Sequence, residues 1–250
     1  MFIFSLTPRK RTKRGVLPPR PPSKGDATAP PVALTLMYPR PIKGSGWVFE
    51  LISMKRLFDI VASGFGLIVL SPLFLILAIW IKLDSKGPVF YRQVRVGRNN
   101  KDFRIFKFRS MRVGADKGSL VTIGGHDPRV TRSGYFIRKF KLDELPQLIN
   151  VFVGDMSLVG PRPEVRHYVD YWTPEQMHVL DVRPGITDPA SIKFRNENEL
   201  MEKAEDPEKY YIEVIMQEKI KLYLEYVEKH GFWYDFWLIL KTFWVIVKER

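Results

Sequence analysis

From Ile60 to Ile81 the chain runs through 22 residues without a charged side chain. As a straight helix that run is about 33 Å long, against a bilayer hydrocarbon core of roughly 30 Å. A helix apolar on every side offers no face to water, so in a chain of 250 residues it fits lipid better than a soluble core. Two features oppose a simple span. Ser71-Pro72 falls at the middle of the run. Proline removes a backbone hydrogen bond and clashes with the preceding turn, and a neighbouring serine can satisfy the freed carbonyl. Each half is then about 17 Å long, one leaflet deep. Both flanks are basic, with Lys55 and Arg56 before and Lys82, Lys86, Arg92 and Arg95 after. A spanning segment carries its Lys and Arg excess on the cytoplasmic side only. Kink and charge together predict a re-entrant helical hairpin over 54–86, kinked at Ser71 and Pro72, that enters and leaves by the cytoplasmic face.

Forty Lys and Arg against 27 Asp and Glu give +13, unevenly spread. Residues 1–53 hold nine basic and two acidic side chains, hence +7, and nine of the 19 prolines. Such a composition cannot bury enough apolar surface to offset chain entropy, so 1–53 reads as a disordered basic leader. It is no signal peptide, because its apolar stretch Phe2–Leu6 is too short and precedes the charges. Met54 is the expected native start, or 1–53 is dispensable. Zero cysteines exclude a disulfide scaffold, an iron–sulfur cluster, a zinc ribbon and thiol catalysis. His126, His167, His178 and His230 show no metal-ligand spacing.

The remainder, 87–250, reads as an α+β domain, mostly helical with one small β-hairpin. Pro88–Arg95 and Asp102–Arg109 alternate apolar and basic residues around the turn Gly97-Arg98-Asn99-Asn100. Asp206-Pro207-Glu208 opens a helix expected to reach about Lys229, with Gly231 beyond its end. In 232–247, Trp233, Trp237 and Trp244 stand among aliphatics, and Asp235, Thr242 and Glu249 recur every seven residues on a polar stripe. Sixteen residues are short for spanning, so an amphipathic helix lying in the membrane interface is expected.

Three stretches could carry chemistry. In Arg138-Lys139-Phe140-Lys141-Leu142-Asp143-Glu144-Leu145-Pro146, the proline suits a first helical turn and sets the carboxylates at a helix N-terminus. Adjacent helical residues diverge by about 100°, so the pair does not share one proton. It could share a metal, or divide into nucleophile and ligand, with nearby cations and the helix dipole keeping both ionised. Alone, such a pair is ordinarily a cap. In Pro161-Arg162-Pro163 the prolines fix the backbone and aim a guanidinium suited to bidentate phosphate contact. Strand alternation puts Lys107 and Arg109 on one face, which alone reads as a solvated basic surface.

Lys55-Arg56-Leu57-Phe58-Asp59, the run broken at Ser71-Pro72, Lys107–Met111, Leu142–Gln147, Gly154–Pro163 and Arg183-Pro184-Gly185-Ile186-Thr187 occur in that order. The series resembles the bacterial sugar transferase family, the monotopic polyprenyl-phosphate phosphoglycosyl transferases, over roughly 54–190. The resemblance implies a re-entrant membrane helix at the cytoplasmic face of the bacterial inner membrane. It implies transfer of a sugar phosphate from a UDP-sugar to polyprenyl (undecaprenyl) phosphate with release of UMP, the opening step of glycoconjugate or exopolysaccharide synthesis. By matching positions, Asp143 resembles the family's nucleophile, Glu144 its Mg²⁺-associated partner and Arg138 a phosphate-binding arginine. Pro161, Arg162 and Pro163 resemble the segment near the donor's uridine end, and Lys107 and Arg109 are expected to contact substrate. Membrane lipids are expected partners and nucleic acid is not; a homodimer stays open. After Thr187 the chain reads Asp188-Pro189-Ala190-Ser191-Ile192, where family members often carry Gly, Trp or Leu, Gln and a Gly-Arg pair. The sugar therefore does not follow from the resemblance. The competing reading is a non-catalytic membrane adaptor that binds anionic lipid, which leaves Asp143-Glu144 without a task.

Overall fold

The computed structural model describes residues 46–115, 127–194, 197–202 and 204–248. Helix α1, Gly46–Asp84, starts eight residues ahead of Met54 and continues through Pro72 as one helix, where the sequence predicts a two-limbed hairpin. Residues 1–45 of the expected leader, and His126, lie outside the described residues. The proline is accommodated as expected. Ser71 Oγ donates to the carbonyl of Ile68 at 2.7 Å, the acceptor left unpaired four residues before Pro72. Met54–Asp84 is long and apolar enough to cross a membrane. Its middle is exposed, with Phe65, Ile68, Leu75 and Ile76 all more than half accessible.

Both ends of that helix are fastened to one body. At the first, Arg56 donates to the carbonyls of Val151 and Phe152 at 2.7 and 2.9 Å, capping helix α3, Gln147–Val153. Asp59 accepts from the Leu158 N–H at 3.1 Å. At the second, Asp84 accepts from the N–H and hydroxyl of Ser133 at 2.9 and 2.8 Å, in the first turn of α2, Arg132–Lys139. Leu77 and Ile81 pack with Phe108 and Ile137 in a small core.

The predicted hairpin forms as strands β1, Phe90–Val96, and β2, Asp102–Phe108, antiparallel with Phe90 opposite Phe108 and Val96 opposite Asp102. Asn99 and Asn100 make the connection at φ 57° and 59°, a conformation asparagine tolerates better than most side chains. A second, parallel pair joins β3, Ser157–Val159, to β4, Gly185–Thr187. Between them lie the short helix α4, Arg166–Val169, and the 3₁₀ turn Gln176–Asp181. Beyond β4 come α5, Pro189–Lys193, and α6, Glu197–Glu202.

The helix expected from Asp206 is present: Asp206 caps it by accepting from the Lys209 N–H at 3.0 Å. It runs as α7, Pro207–Tyr210, a π-wound turn Tyr211–Ile215, and α8, Met216–Lys229. Tyr211, Ile215, Ile220 and Tyr223 close the largest core with Val165, Tyr168 and Met201. Helix α9 spans Phe232–Lys248. Trp233, Trp237 and Trp244 are at least half exposed, but Asp235 turns inward and is buried. Thr242 bonds back to the Leu238 carbonyl, and Glu249 lies outside the described residues. Of the predicted polar stripe, Asp235 thus faces the body, where the buried Tyr226 hydroxyl bonds to it at 2.8 Å.

Two glycines of the ordered motifs meet at the β3–β4 junction. A Cβ on Gly185 would overlap the backbone of Gly160, and one on Gly160 would strike the Arg183 carbonyl. Gly185→Ala should therefore force the strands apart and destabilise the fold by about 1–3 kcal/mol. Denaturation in detergent measures this; an unchanged midpoint would show that the junction relaxes freely.

Candidate active site

The acidic pair lies between two helices that α1 holds. Helix α2 is capped by Thr131, whose hydroxyl accepts from the Gly134 N–H at 3.0 Å. After it, Lys141 adopts φ 57°, a conformation sparsely populated by non-glycine residues. That residue reverses the chain into a 3₁₀ turn, Leu142–Glu144, and Pro146 then caps α3. The carboxylates thus stand in a 3₁₀ turn just ahead of the helix rather than within its first turn.

Glu144 is gripped. Lys107, reaching from β2, donates to its Oε1 at 2.9 Å, and Arg162 donates to both oxygens, Nη1 to Oε2 at 3.2 Å. Among the described residues, no hydrogen bond or ion pair engages the Asp143 carboxylate. The two therefore titrate apart. Burial pushes Asp143 up from the ordinary aspartate range, Lys107 opposes this, and the neighbouring Glu144 charge adds to it. Burial acts on Glu144 in the same direction, but Arg162 and then Lys107 outweigh it and hold that carboxyl well below its usual range. The cations expected to keep the pair ionised thus act mainly on Glu144 and only partly offset burial at Asp143. Lys107 is lowered by desolvation, which Glu144 counters, and Arg162 is raised by Glu144.

The other expected site residues divide. Arg138 ends α2, and its charge, like that of Lys141, acts on Asp143. Its guanidinium makes no hydrogen bond or ion pair among the described residues. Arg109 is elsewhere: buried, it donates to the carbonyls of Lys86 and Ser85, each at 2.7 Å, and of Ile81 at 3.3 Å. It caps the C-terminus of α1, so its donors are not available to a substrate phosphate. Pro161 and Pro163 are both buried and lock the Arg162 backbone between them.

Three positioning residues escaped the sequence reading. Asn150, fully buried, accepts from the Phe106 N–H at 2.8 Å and donates to the Arg104 carbonyl at 2.9 Å. It fixes α3 against β2 and so sets Lys107 opposite Glu144. Lys55 donates to the Val159 carbonyl at 3.1 Å and to the Tyr226 hydroxyl at 2.8 Å, and pairs with Asp235. Arg95 donates to the Pro163 carbonyl at 3.1 Å. A buried asparagine is visible in sequence as a polar break in the apolar run after Pro146, but its partners are not.

Among the described residues, no cluster of three or more metal-ligand side chains exists. Mg²⁺ does not need one, since it commonly takes one or two carboxylates and completes its shell with water and substrate phosphate. Asp143, with the one lone pair left on Glu144 Oε2, fits that mode.

Fold and site together describe a lipid-compatible helix beside a carboxylate centre ringed by cations. The model of the bacterial sugar transferase family matches residues 50–249, and the chain belongs to that family. Over 215 residues it is 38% identical to a UDP-glucose:undecaprenyl-phosphate glucose-1-phosphate transferase of Klebsiella pneumoniae, covering 84% of this chain and 43% of that protein. Over 192 residues it is 41% identical to a UDP-N-acetylgalactosamine-undecaprenyl-phosphate N-acetylgalactosaminephosphotransferase of Aeromonas hydrophila, covering 76% and 42%. A Caulobacter vibrioides UDP-glucose:undecaprenyl-phosphate glucose-1-phosphate transferase is 36% identical over 192 residues, covering 75% and 67%. The chain thus spans less than half the length of the Klebsiella and Aeromonas relatives.

On raising the pH, Glu144 should ionise before Asp143, a sequence readable by carbon NMR of labelled carboxyls assigned with Asp143→Asn and Glu144→Gln. Because Glu144 is depressed in the folded state, its ion pairs stabilise the protein above the ordinary glutamate range, 4.5. That contribution is lost as pH falls through the lowered folded value, so Glu144→Gln should flatten the acid limb of the stability curve. Asp143 ionising first would show that the cations do not govern the pair.

Proposed function

We propose that the protein is a phosphoglycosyl transferase that moves a sugar phosphate from a UDP-sugar to polyprenyl phosphate through a covalent intermediate on Asp143. The observation that carries this is the division of labour in the acidic pair: one carboxylate gripped by two cations, its neighbour unengaged. The named relatives share a uridine-diphosphate donor and an undecaprenyl-phosphate acceptor while differing in the sugar, so the shared parts support the reading.

In the first step an Asp143 oxygen attacks the sugar-bearing phosphorus, and the bridging oxygen departs with UMP. In the second a polyprenyl phosphate oxygen attacks the same phosphorus and the Asp143 carboxylate leaves, giving polyprenyl-diphosphate-sugar. Arg138, Lys141 and Lys107 attract the diphosphate, and Arg162 orients it. Burial keeps Asp143 weakly solvated and so a better nucleophile. Mg²⁺, held by Asp143 or Glu144, would neutralise diphosphate charge and help UMP leave. Re-entrant topology is supported by the attachment of both ends of Met54–Asp84 to one body, and interfacial placement of α9 by its exposed tryptophans. Both support a body resting at the cytoplasmic face of the inner membrane, in contact with lipid.

With donor alone, the wild-type protein should release up to one UMP per chain and retain the sugar phosphate; Asp143→Asn should do neither and lose turnover by several orders of magnitude. UMP release only in the presence of polyprenyl phosphate, with no adduct, would establish direct attack instead. No release under either condition would favour the adaptor. Single cysteines in place of Ser53 and Lys86 should both label from the cytoplasmic side; labelling from opposite sides would establish a span.

A further inference from the structure

Three aromatic rings outside the acidic site form a continuous exposed row. Trp80, on the C-terminal half of α1, lies 5.2 Å from Phe136 of α2 between ring centroids, and Phe136 lies 4.7 Å from Phe140. Each is exposed by about two-fifths, at 37%, 43% and 42%. Neighbouring rings left this exposed form a contiguous apolar patch larger than scattered single side chains, and such a patch signals an apolar occupant.

The row has a direction. Trp80 opens onto the apolar helix, where Ile76 and Leu83 are also exposed. At the other end the Lys139 ammonium lies 5.8 Å from the Phe140 ring centroid, and Phe140 is three residues before Asp143. Arg138 and Lys141 flank the same turn. Surface thus changes from aliphatic to aromatic to cationic, and the turn that carries the unengaged carboxylate begins two residues after Phe140. A general membrane contact requires only the apolar part. The ordered gradient fits a single amphiphile with a long hydrocarbon tail and a phosphate head.

The geometry points to the row Trp80–Phe136–Phe140 as the seat of the acceptor's isoprenoid chain, with Lys139 at the Phe140 end meeting its phosphate and Arg138 and Lys141 leading it to the turn that carries Asp143. Methyl-branched olefinic units lie well on aromatic faces, where many small dispersion contacts add. Asp84 fixes the arrangement, because its bonds to Ser133 hold α2 against the helix end that carries Trp80. The inference rests on the transfer reading and adds the acceptor's route to it.

A polyprenyl phosphate with a diazirine on its second isoprene unit tests this on the unmodified protein in nanodiscs. After irradiation and digestion, adducts should fall on peptides containing Trp80, Phe136 or Phe140. Excess unlabelled polyprenyl phosphate should compete, and excess phosphatidylglycerol should not. Adducts confined to the outer face of α1, or equal competition by both lipids, would overturn the assignment in favour of general lipid contact. Phe136→Ala and Trp80→Ala should raise KM for polyprenyl phosphate by about tenfold, with a far smaller change in KM for the nucleotide sugar. Equal rises in both, or no rise in either, would also overturn it. If the wild-type protein yields no UMP with donor and acceptor together, the transfer reading itself fails, whatever the adduct pattern.

Discussion

The middle of α1 belongs in lipid, yet both of its ends carry charged groups bound to the same body, and the rest of the structure follows from that constraint. Lys55, Arg56 and Asp59 at one end, and Asp84 at the other, are satisfied by backbone and side chains of α2, α3, β3 and α9, while Arg109 arrives from the body to cap the C-terminus of α1. Leaving a buried polar group without its partner costs about 1–3 kcal/mol, because that group stays desolvated. On the proposed re-entrant topology, these attachments oppose drawing the ends to opposite faces of a bilayer. Held this way, α1 fixes the two helices between which Asp143 and Glu144 stand. A device that limits how the helix meets the membrane also builds the site.

The asymmetry of the acidic pair follows from counting cations. Opposite unit charges about 4 Å apart at an effective dielectric of 20 attract by about 4 kcal/mol. Glu144 has two such partners in hydrogen-bond contact, enough to reverse the effect of burial. Asp143 has cations acting only from farther off, and burial prevails. A carboxylate held by two cations is a poor nucleophile, since its lone pairs are occupied. One that is partly desolvated and unengaged is a better one. The same cations that would receive a diphosphate therefore also decide which acid attacks.

Local chemistry was legible in the sequence where it depends on neighbours along the chain. Ser71 rescuing the carbonyl freed by Pro72, the Asn99-Asn100 turn, the hairpin and the Asp206 cap all appear as read. What misled the reading depends on distant partners. Alternation placed Lys107 and Arg109 on one face, but Arg109 lies one residue beyond β2, where the last carbonyls of α1 claim its donors. Asp235 reads as part of a polar stripe until Lys55, 180 residues earlier, supplies its countercharge. The motif glycines Gly160 and Gly185 are conspicuous in sequence, but their reason, mutual backbone contact, exists only in three dimensions.

The loop that carries Arg162 is held on both sides. Ahead of it, Lys55 and Tyr226 both donate to the Val159 carbonyl; behind it, Arg95 holds the Pro163 carbonyl, and Tyr211 donates to the adjacent Glu164 at 2.5 Å. Tyr211 and Tyr226 belong to one long helical segment, so the C-terminal helices brace both sides of this loop. A guanidinium so restrained cannot travel far to meet a ligand, and it is already neutralised in part by Glu144. Its contribution is thus orientation more than attraction, by the logic that fixed donors placed in advance need no rearrangement during reaction. Long-range attraction of a diphosphate then falls mainly to Arg138, Lys139 and Lys141, which have no carboxylate in contact among the described residues, with a smaller part left to Lys107 because Glu144 offsets its charge. The proposed division follows: a rigid arginine aims the donor, and a strip of lysines beside the aromatic row gathers anionic groups from the membrane side.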